Sequence, residues 1–393
     1  MLLTNAVNTE GRPLEIYVKD GKIAAVGQDL SALAAENETV VDAGGLTVLP
    51  AFVDLHCHWR TPGFEYKEDI ETGSRAAAAG GYTFVNLMPN TKPVCSSADI
   101  AHSVMAEAER IGLCAANQTV SITQNFDGRT LDHLKSLPEY LKFITEDGKG
   151  VQSGNVMAKA FAIAAQRGLT IMSHAEDMDI SPWDYRLAEN IEMVRNLHLS
   201  EYYGTRLHMC HVSTKEAVEA IGAAKWKGVP VTCEVTPHHL WFADTDYRVN
   251  PPIRKAEDVD ALIEAIRLGV VDAIATDHAP HTDEEKAAGA AGMVGLETAF
   301  GVCYTKLCKE KGLPLARLAE LMSTAPAEIL GLAGHGRVLP GYAADLALVE
   351  LDTPYTVDKN ALHSKSHNCP YDGAQLFGRV DLTIKGGKVT WKR

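Results

Sequence analysis

Eight short apolar runs recur through the middle of the chain with segments of helical period between them, and few folds accommodate that alternation. The runs are Leu46 to Leu55, Tyr82 to Leu87, Ala115 to Ile122, Tyr140 to Ile144, Leu169 to Met172, Leu207 to Cys210, Val229 to Val235 and Val270 to Ala275. Helical segments lie between them, at Glu68 to Ala79, Ile100 to Ile111, Val156 to Gln166, Glu189 to Tyr203, Lys215 to Lys227 and Val259 to Leu268. Each is followed by a glycine (Gly80, Gly112, Gly168, Gly204, Gly228, Gly269), the residue that most readily ends a helix. Eight strand-then-helix units predict an α/β fold, a (β/α)8 TIM-like barrel.

The flanks have a different rhythm. Ile16 to Val26 alternates about an Asp20-Gly21 pair, which predicts a hairpin with a two-residue turn. Ala344 to Val349 and Leu382 to Trp391 repeat that style near the end. A small flanking β-domain built from both termini is therefore expected over 1–50 and 335–393, with the barrel inserted at 51–334. At 393 residues the chain has room for both.

A net charge of -14 opposes nucleic-acid or anionic-membrane partners, which require basic patches. An acidic small-molecule substrate would need local arginines. No run is long enough to span a bilayer, and Met1 to Glu15 lacks the features of a signal peptide. The eight cysteines are scattered without CxxC pairs, as expected for reduced, mostly buried thiols in the cytoplasm.

In such barrels chemistry sits at the C-terminal ends of the strands. Strand one ends in His56, His58 and Arg60. The two imidazoles, at i and i+2, share one face, while Cys57 points the opposite way. Strand two is followed by Asn90, strand four by Glu146 and Asp147, strand five by His174, strand six by His211, and strand eight by Asp277, His278 and His281. Four histidines and two carboxylates converging there predict a divalent metal site, with room for two ions. His102, His133, His198, His335 and His363 read as solvated or incidental, His208 as a core or supporting residue, and His238 and His239 as supporting partners.

These residues carry a resemblance. Asp54-x-His56-x-His58-x-Arg60-Thr61-Pro62-Gly63, Met88-Pro89-Asn90-Thr91, His211-Val212-Ser213-Thr214 and Asp277-His278-Ala279-Pro280-His281, in that order, are similar to the dihydroorotases of the amidohydrolase superfamily. Gly295-Leu296-Glu297-Thr298 and Ser364-Lys365-Ser366-His367-Asn368 add weaker support. The resemblance implies zinc, one or two ions per chain. One ion would be held by His56, His58 and Asp277 and the other by His174 and His211. Asp147, which precedes Gly148, would stand where many relatives carry a bridging carboxylated lysine. The segment between Asp177 and Glu189 is shorter than in typical members.

The same resemblance implies the reversible hydrolysis of a cyclic amide, dihydroorotate, to carbamoyl aspartate. Asp277 would shuttle the proton, Arg60, Asn90 and His281 would bind the substrate carboxylate, and Asn250 would contact the ring amide. A homodimer and an association with aspartate transcarbamoylase are the assemblies it brings into view. Two other readings stand beside it: another cyclic-amide hydrolase of the dihydropyrimidinase, hydantoinase or allantoinase kind, and a non-catalytic homologue that scaffolds a transcarbamoylase. Arg60 and Asn90 favour the first reading, and the full set of ligands opposes the last.

Overall fold

The computed structural model describes residues 1–35 and 38–393. Eight parallel strands close into a barrel. Phe52–Cys57, Tyr82–Leu87 and Ala115–Gln118 form one part. Val120–Ser121, Phe143–Thr145, Thr170–Ser173, Arg206–Met209, Val231–Val235 and Ala273–Ile274 form the other. The third strand is continuous through Thr119, whose amide bonds Leu87, and a parallel bridge from Cys57 to His278 closes the ring. Helices follow the strands at Ile70–Ala79, Ala98–Ile111, Gly154–Arg167, Tyr185–Tyr203, Lys215–Trp226 and Ala256–Arg267.

The chain's own chemistry sets these boundaries. Asp69, Ser97, Ser153, Asp184 and Thr214 each accept a hydrogen bond from a backbone N–H in the first turn of the helix that follows. Gly112, Gly168 and Gly204 end their helices in the left-handed conformation. Some strands are shorter than the apolar runs: Tyr140 is half exposed and the fourth strand begins only at Phe143. The first run is divided between two sheets. Thr47–Pro50 joins the terminal sheet and Phe52–Cys57 the barrel.

The terminal sheet has eight strands drawn from both ends of the chain. Leu346–Glu350 lies between Thr47–Pro50 and Arg379–Lys385, with Lys388–Lys392 on one side and Leu2–Val7, Pro13–Lys19 and Lys22–Gly27 on the other. Val40–Asp42 pairs alongside Leu2–Val7. Its apolar face, including Leu3, Ile16, Ile23, Leu346, Leu348 and Ile384, forms a core of its own. The predicted turn is present, with Asp20 and Gly21 at φ 50° and 74°.

Two further contacts position the site. Ser323 Oγ donates to Pro50 O at 2.9 Å, and Ala327 and Leu330 join Val53, Leu55, Met172 and Ala275 in an apolar cluster beneath the strands. At the opposite end, residues 357–376 leave the terminal sheet and lie over the loops after strands seven and eight. There Val357, Tyr371 and Leu376 pack with Val249, Met293 and Val302.

Candidate metal centre and substrate pocket

His56 and His58 point into the barrel mouth, while Cys57 and Trp59 pack in the layer between the strands and the helices. Trp59 needs room there, and Gly73 supplies it: a Cβ on Gly73 would lie 2.3 Å from the indole. The turn after Arg60 is equally tight. Gly63 has φ +96°, and a Cβ there would lie 2.1 Å from Lys92 O. The glycine of the Thr61-Pro62-Gly63 motif thus lets the Arg60 loop lie against the Asn90 loop.

The carboxylate of Asp147 lies between two groups of imidazoles. Its Oδ1 is 3.2 Å from His56 Nε2, 3.6 Å from His174 Nδ1 and 4.0 Å from His211 Nε2. Its Oδ2 is 3.7 Å from His58 Nε2 and accepts a 2.9 Å hydrogen bond from Asn90 Nδ2. Asp277 Oδ1 lies 3.3 Å from His58 Nε2 and 3.6 Å from His56 Nε2. Facing nitrogens of His174 and His211 approach to 2.8 Å. All six residues are buried.

Both nitrogens of His56 lie 3.2 Å from a carboxylate oxygen, of Asp147 and of Glu234, yet neither makes an aligned hydrogen bond. Buried polar atoms that converge without pairing suit a cation held among them. Two clusters, His56 with Asp147 and His211, and His56 with His58 and Asp277, place ligand atoms within 4.8 Å of one another. A third joins His56 with Glu234 and Cys210, but burial pushes the Cys210 thiol up to about 12, and a neutral thiol is a poor ligand.

Burial by itself raises a carboxyl pKa. At Asp147 it is outweighed by His56 and its hydrogen-bonding neighbours, and at Asp277 by the hydrogen bond from His58 and the nearby imidazoles, so both stay well below the usual range. Burial would lower His56, but Asp147 reverses it and raises the imidazole. His58 goes the other way, lowered by burial and by the Arg60 charge.

Three residues here carry backbone strain: Arg60, His211 and Asp277 have φ of 58°, 35° and 46°. Left-handed conformations at non-glycine residues cost on the order of 1 to 3 kcal/mol each and concentrate where geometry serves function.

Arg60 is only 8% exposed. Its Nε donates to Pro280 O at 3.2 Å, and Nη2 lies 3.3 Å from His281 Nε2. Among the described residues it has no ion-pair partner within 4.0 Å. His281 is held from behind, its Nδ1 3.2 Å from Glu285 Oε2 and 3.5 Å from Lys67 Nζ. Burial, helped by Arg60, pushes His281 down to about 4, so it is neutral at pH 7. Arg60, Asn90, Asn250 and His281 line a cavity of about 230 Å³ together with His58, Asp147, His174, His211 and Asp277.

Other expected residues occupy supporting positions. His208 Nε2 lies 3.0 Å from Glu234, and the Nδ1 of His239 meets Thr236 at 2.7 Å while its Nε2 meets Pro251 O at 3.0 Å. His238 is buried with Nε2 unpaired, lowered well below its usual range by burial. Glu146 turns away, accepting from Thr123 N at 2.8 Å and from the Thr123 hydroxyl. His102 and His198 are exposed, but His133, His335 and His363 are not merely solvated: they bond Ser121 O, Asp345 and Glu297 at 2.9, 2.9 and 2.8 Å.

The strand-end reading missed Glu176 and Glu234. Glu176 Oε2 lies 3.1 Å from His174 Nε2 and accepts from Tyr185 and from Asn250, at 2.8 and 3.2 Å. Each had a signal in the sequence. Glu234 is a carboxylate inside an apolar strand, and Glu176 stands two residues after a strand-end histidine.

A sequence model of the amidohydrolase family matches residues 47–390. A dihydroorotase of Clostridium botulinum (strain Eklund 17B / Type B) is 47% identical over 383 residues, covering 96% of this chain and 95% of the relative. One from Anaeromyxobacter dehalogenans (strain 2CP-1 / ATCC BAA-258) is 41% identical over 404, covering 95% and 92%. The L-hydantoinase (dihydropyrimidinase) structure from Arthrobacter aurescens superposes with a TM-score of 0.90 at 27% identity, covering 100% of this chain and 96% of that one.

Proposed function

The chain belongs to the amidohydrolase family, and from that premise we propose that it is a dihydroorotase, closing N-carbamoyl-L-aspartate to L-dihydroorotate and reopening it in de novo pyrimidine synthesis. The observation that carries this reading is the buried Arg60, whose guanidinium has no carboxylate within ion-pair distance among the described residues. A buried unpaired charge is costly, and an anionic substrate relieves the cost. In an acidic protein Arg60 offers a planar fork of donors for the substrate carboxylate, with Asn90 and His281 beside it.

Zinc, one or two ions per chain, suits this donor set of imidazoles and carboxylates. His56, His58 and Asp277 would hold one ion, His174 and His211 a second, and Asp147, in the place of a carboxylated lysine, would bridge them. The placing of Asp147 between both groups supports that reading. When bound, such an ion acidifies water and polarises the amide carbonyl. Asp277, ionised at neutral pH, accepts the proton of the attacking water and returns it to the leaving amide nitrogen. Asn250, held by Glu176, faces the ring amide.

The likeness to a hydantoinase structure favours a second reading, hydrolysis of uncharged cyclic amides. Such a substrate leaves Arg60 unpaired. A non-catalytic scaffold would have no use for six convergent ligand side chains. We place the protein in the cytoplasm, with residues 1–50 and 335–393 as the terminal domain and 51–334 as the barrel. A homodimer and an association with aspartate transcarbamoylase are the assemblies carried over with this reading. Among the described residues no helix is long and apolar enough to cross a membrane.

The test is purified protein supplied with zinc and offered either dihydroorotate or hydantoin. Dihydroorotate should be turned over faster, and Arg60→Lys should lower kcat/KM by about one to two decades, the loss expected for a charged hydrogen bond of roughly 1.5 to 3 kcal/mol. Faster hydantoin turnover, or a silent Arg60→Lys, transfers the assignment to the second reading.

A further inference from the structure

Two of the candidate histidine ligands have a carboxylate behind the ring. Glu234 Oε1 lies 3.2 Å from His56 Nδ1, and Glu176 Oε2 lies 3.1 Å from His174 Nε2. His58 differs. The group on its Nδ1 is the side-chain amide of Asn90, whose Oδ1 is 2.9 Å away. The same amide donates from Nδ2 to Asp147 Oδ2 at 2.9 Å. Asn90 therefore touches two candidate ligands at once, one at the end of strand one and one at the end of strand four.

The roles of these atoms follow from their chemistry. Asp147 is held well below the usual carboxylate range, so it is ionised and can only accept. The atom of Asn90 that faces it must be the nitrogen. The oxygen then faces His58 Nδ1, which must carry the ring proton. Burial and the Arg60 charge lower the His58 pKa and keep the ring neutral at pH 7, so Nε2 retains its lone pair. That nitrogen faces Asp277 Oδ1 at 3.3 Å and Asp147 Oδ2 at 3.7 Å. A carboxylate in place of the amide would also orient His58, but it would repel Asp147 and any anionic substrate in the same cavity. Only a neutral group that accepts on one side and donates on the other serves both neighbours. Backbone contacts fix the Asn90 loop: Thr91 N and Cys95 N donate to Pro89 O at 2.8 and 3.0 Å, and Lys92 N donates to Pro62 O of the Arg60 loop at 2.8 Å. The second Nδ2 proton has no partner among the described residues, and Asn90 lines the substrate cavity.

We propose that Asn90 is a positioning residue for the metal centre as well as part of the substrate clamp: it selects the His58 tautomer that leaves Nε2 for the ion, and it turns the Asp147 carboxylate toward both groups of imidazoles. This role rests on His58 and Asp147 being ligands, as read above, and holds whether or not the cyclic amide is charged.

Zinc affinity, measured against a competing chelator, separates the two roles. Asn90→Ala, and Asn90→Leu, which keeps the volume without the bonds, should hold zinc about 10- to 100-fold more weakly than the wild type, the usual effect of removing a group that orients a ligand. Both should also raise KM for dihydroorotate, with circular dichroism unchanged. Arg60→Lys alters the clamp but bonds neither ligand, so it should raise KM with zinc affinity unchanged. A second measurement leaves Asn90 in place. In a 15N-histidine spectrum of the zinc-loaded wild type, the ring proton that His58→Gln removes should exchange slowly with water, because Asn90 accepts it. Asn90 variants that bind zinc as tightly as the wild type, an Arg60→Lys that loses zinc equally, or a fast-exchanging His58 proton overturns the proposal and leaves the dihydroorotase reading in place. A wild type that prefers hydantoin while the zinc pattern holds upholds this role and removes that reading alone.

Discussion

Asp147 and Glu146 are neighbours in sequence and opposites in surroundings. Asp147 sits among four imidazoles, while Glu146 is buried against Thr123, where desolvation lifts its pKa to about 7 despite the Thr123 hydrogen bonds. Asp147→Ala should therefore lower bound metal sharply, and Glu146→Ala should leave it nearly intact; elemental analysis of both purified variants decides. Glu146 also predicts a pH effect. Its folded pKa lies above the ordinary glutamate value of 4.5, so its contribution is fully present below pH 4.5 and is lost as pH rises through about 7. Glu146→Gln should remove that loss, flattening the fall of stability over this window by at most about 3 kcal/mol, read as the variant-minus-wild-type difference in Tm against pH. The six candidate ligands could be singled out because each follows an apolar run. Glu176 and Glu234 were harder to single out: Glu176 follows its histidine by two residues in a loop, and Glu234 meets His208 from the neighbouring strand, a pairing that sequence order does not record.

At the scale of elements, strand one and the helix after it are fitted to each other. Trp59 lies between His58 and Arg60 in sequence and buries its indole over Gly73. Gly73→Ala gains about 1 kcal/mol in helix propensity but drives a methyl into that ring, which costs roughly 1 to 3 kcal/mol and shifts the residues on either side of Trp59. The net expectation is a lower Tm together with a raised KM, and a variant that melts higher with unchanged KM would contradict it. The periodicity revealed every barrel strand but began the fourth, seventh and eighth too early, because Leu141, Val229 and Val271 pack into the core before the ladder starts. It merged Thr47–Pro50 with Phe52–Cys57 because hydrophobicity does not record a change of sheet. His211-Val212-Ser213-Thr214 proves partly architectural: Thr214 caps the helix Lys215–Trp226, and Ser213 bonds Glu189 through both its amide and its hydroxyl.

In the whole molecule the two ends of the chain meet in one sheet, and the C-terminal part then crosses to the barrel mouth. Asn368 donates to Ala279 O and Gly292 O at 3.1 and 3.2 Å and accepts from His281 N at 3.2 Å, while Ser364 bonds Glu68, which in turn meets His278. Glu297 accepts from the amides of His363 and Ser364 at 2.7 and 3.1 Å. These contacts account for the two weaker motifs as stitching. A chain cut after Gly334 loses Leu346–Glu350 from within the terminal sheet and these ties as well. Limited proteolysis should find it far more susceptible than the full chain, and calorimetry should show no cooperative transition near the wild-type Tm. The crossing has a consequence for synthesis. All six candidate ligands leave the ribosome well before Asn368 can brace His281, so a nascent chain could take up metal at a mouth whose substrate clamp is still open. Turnover would then begin only once the late segment has been translated and has folded back.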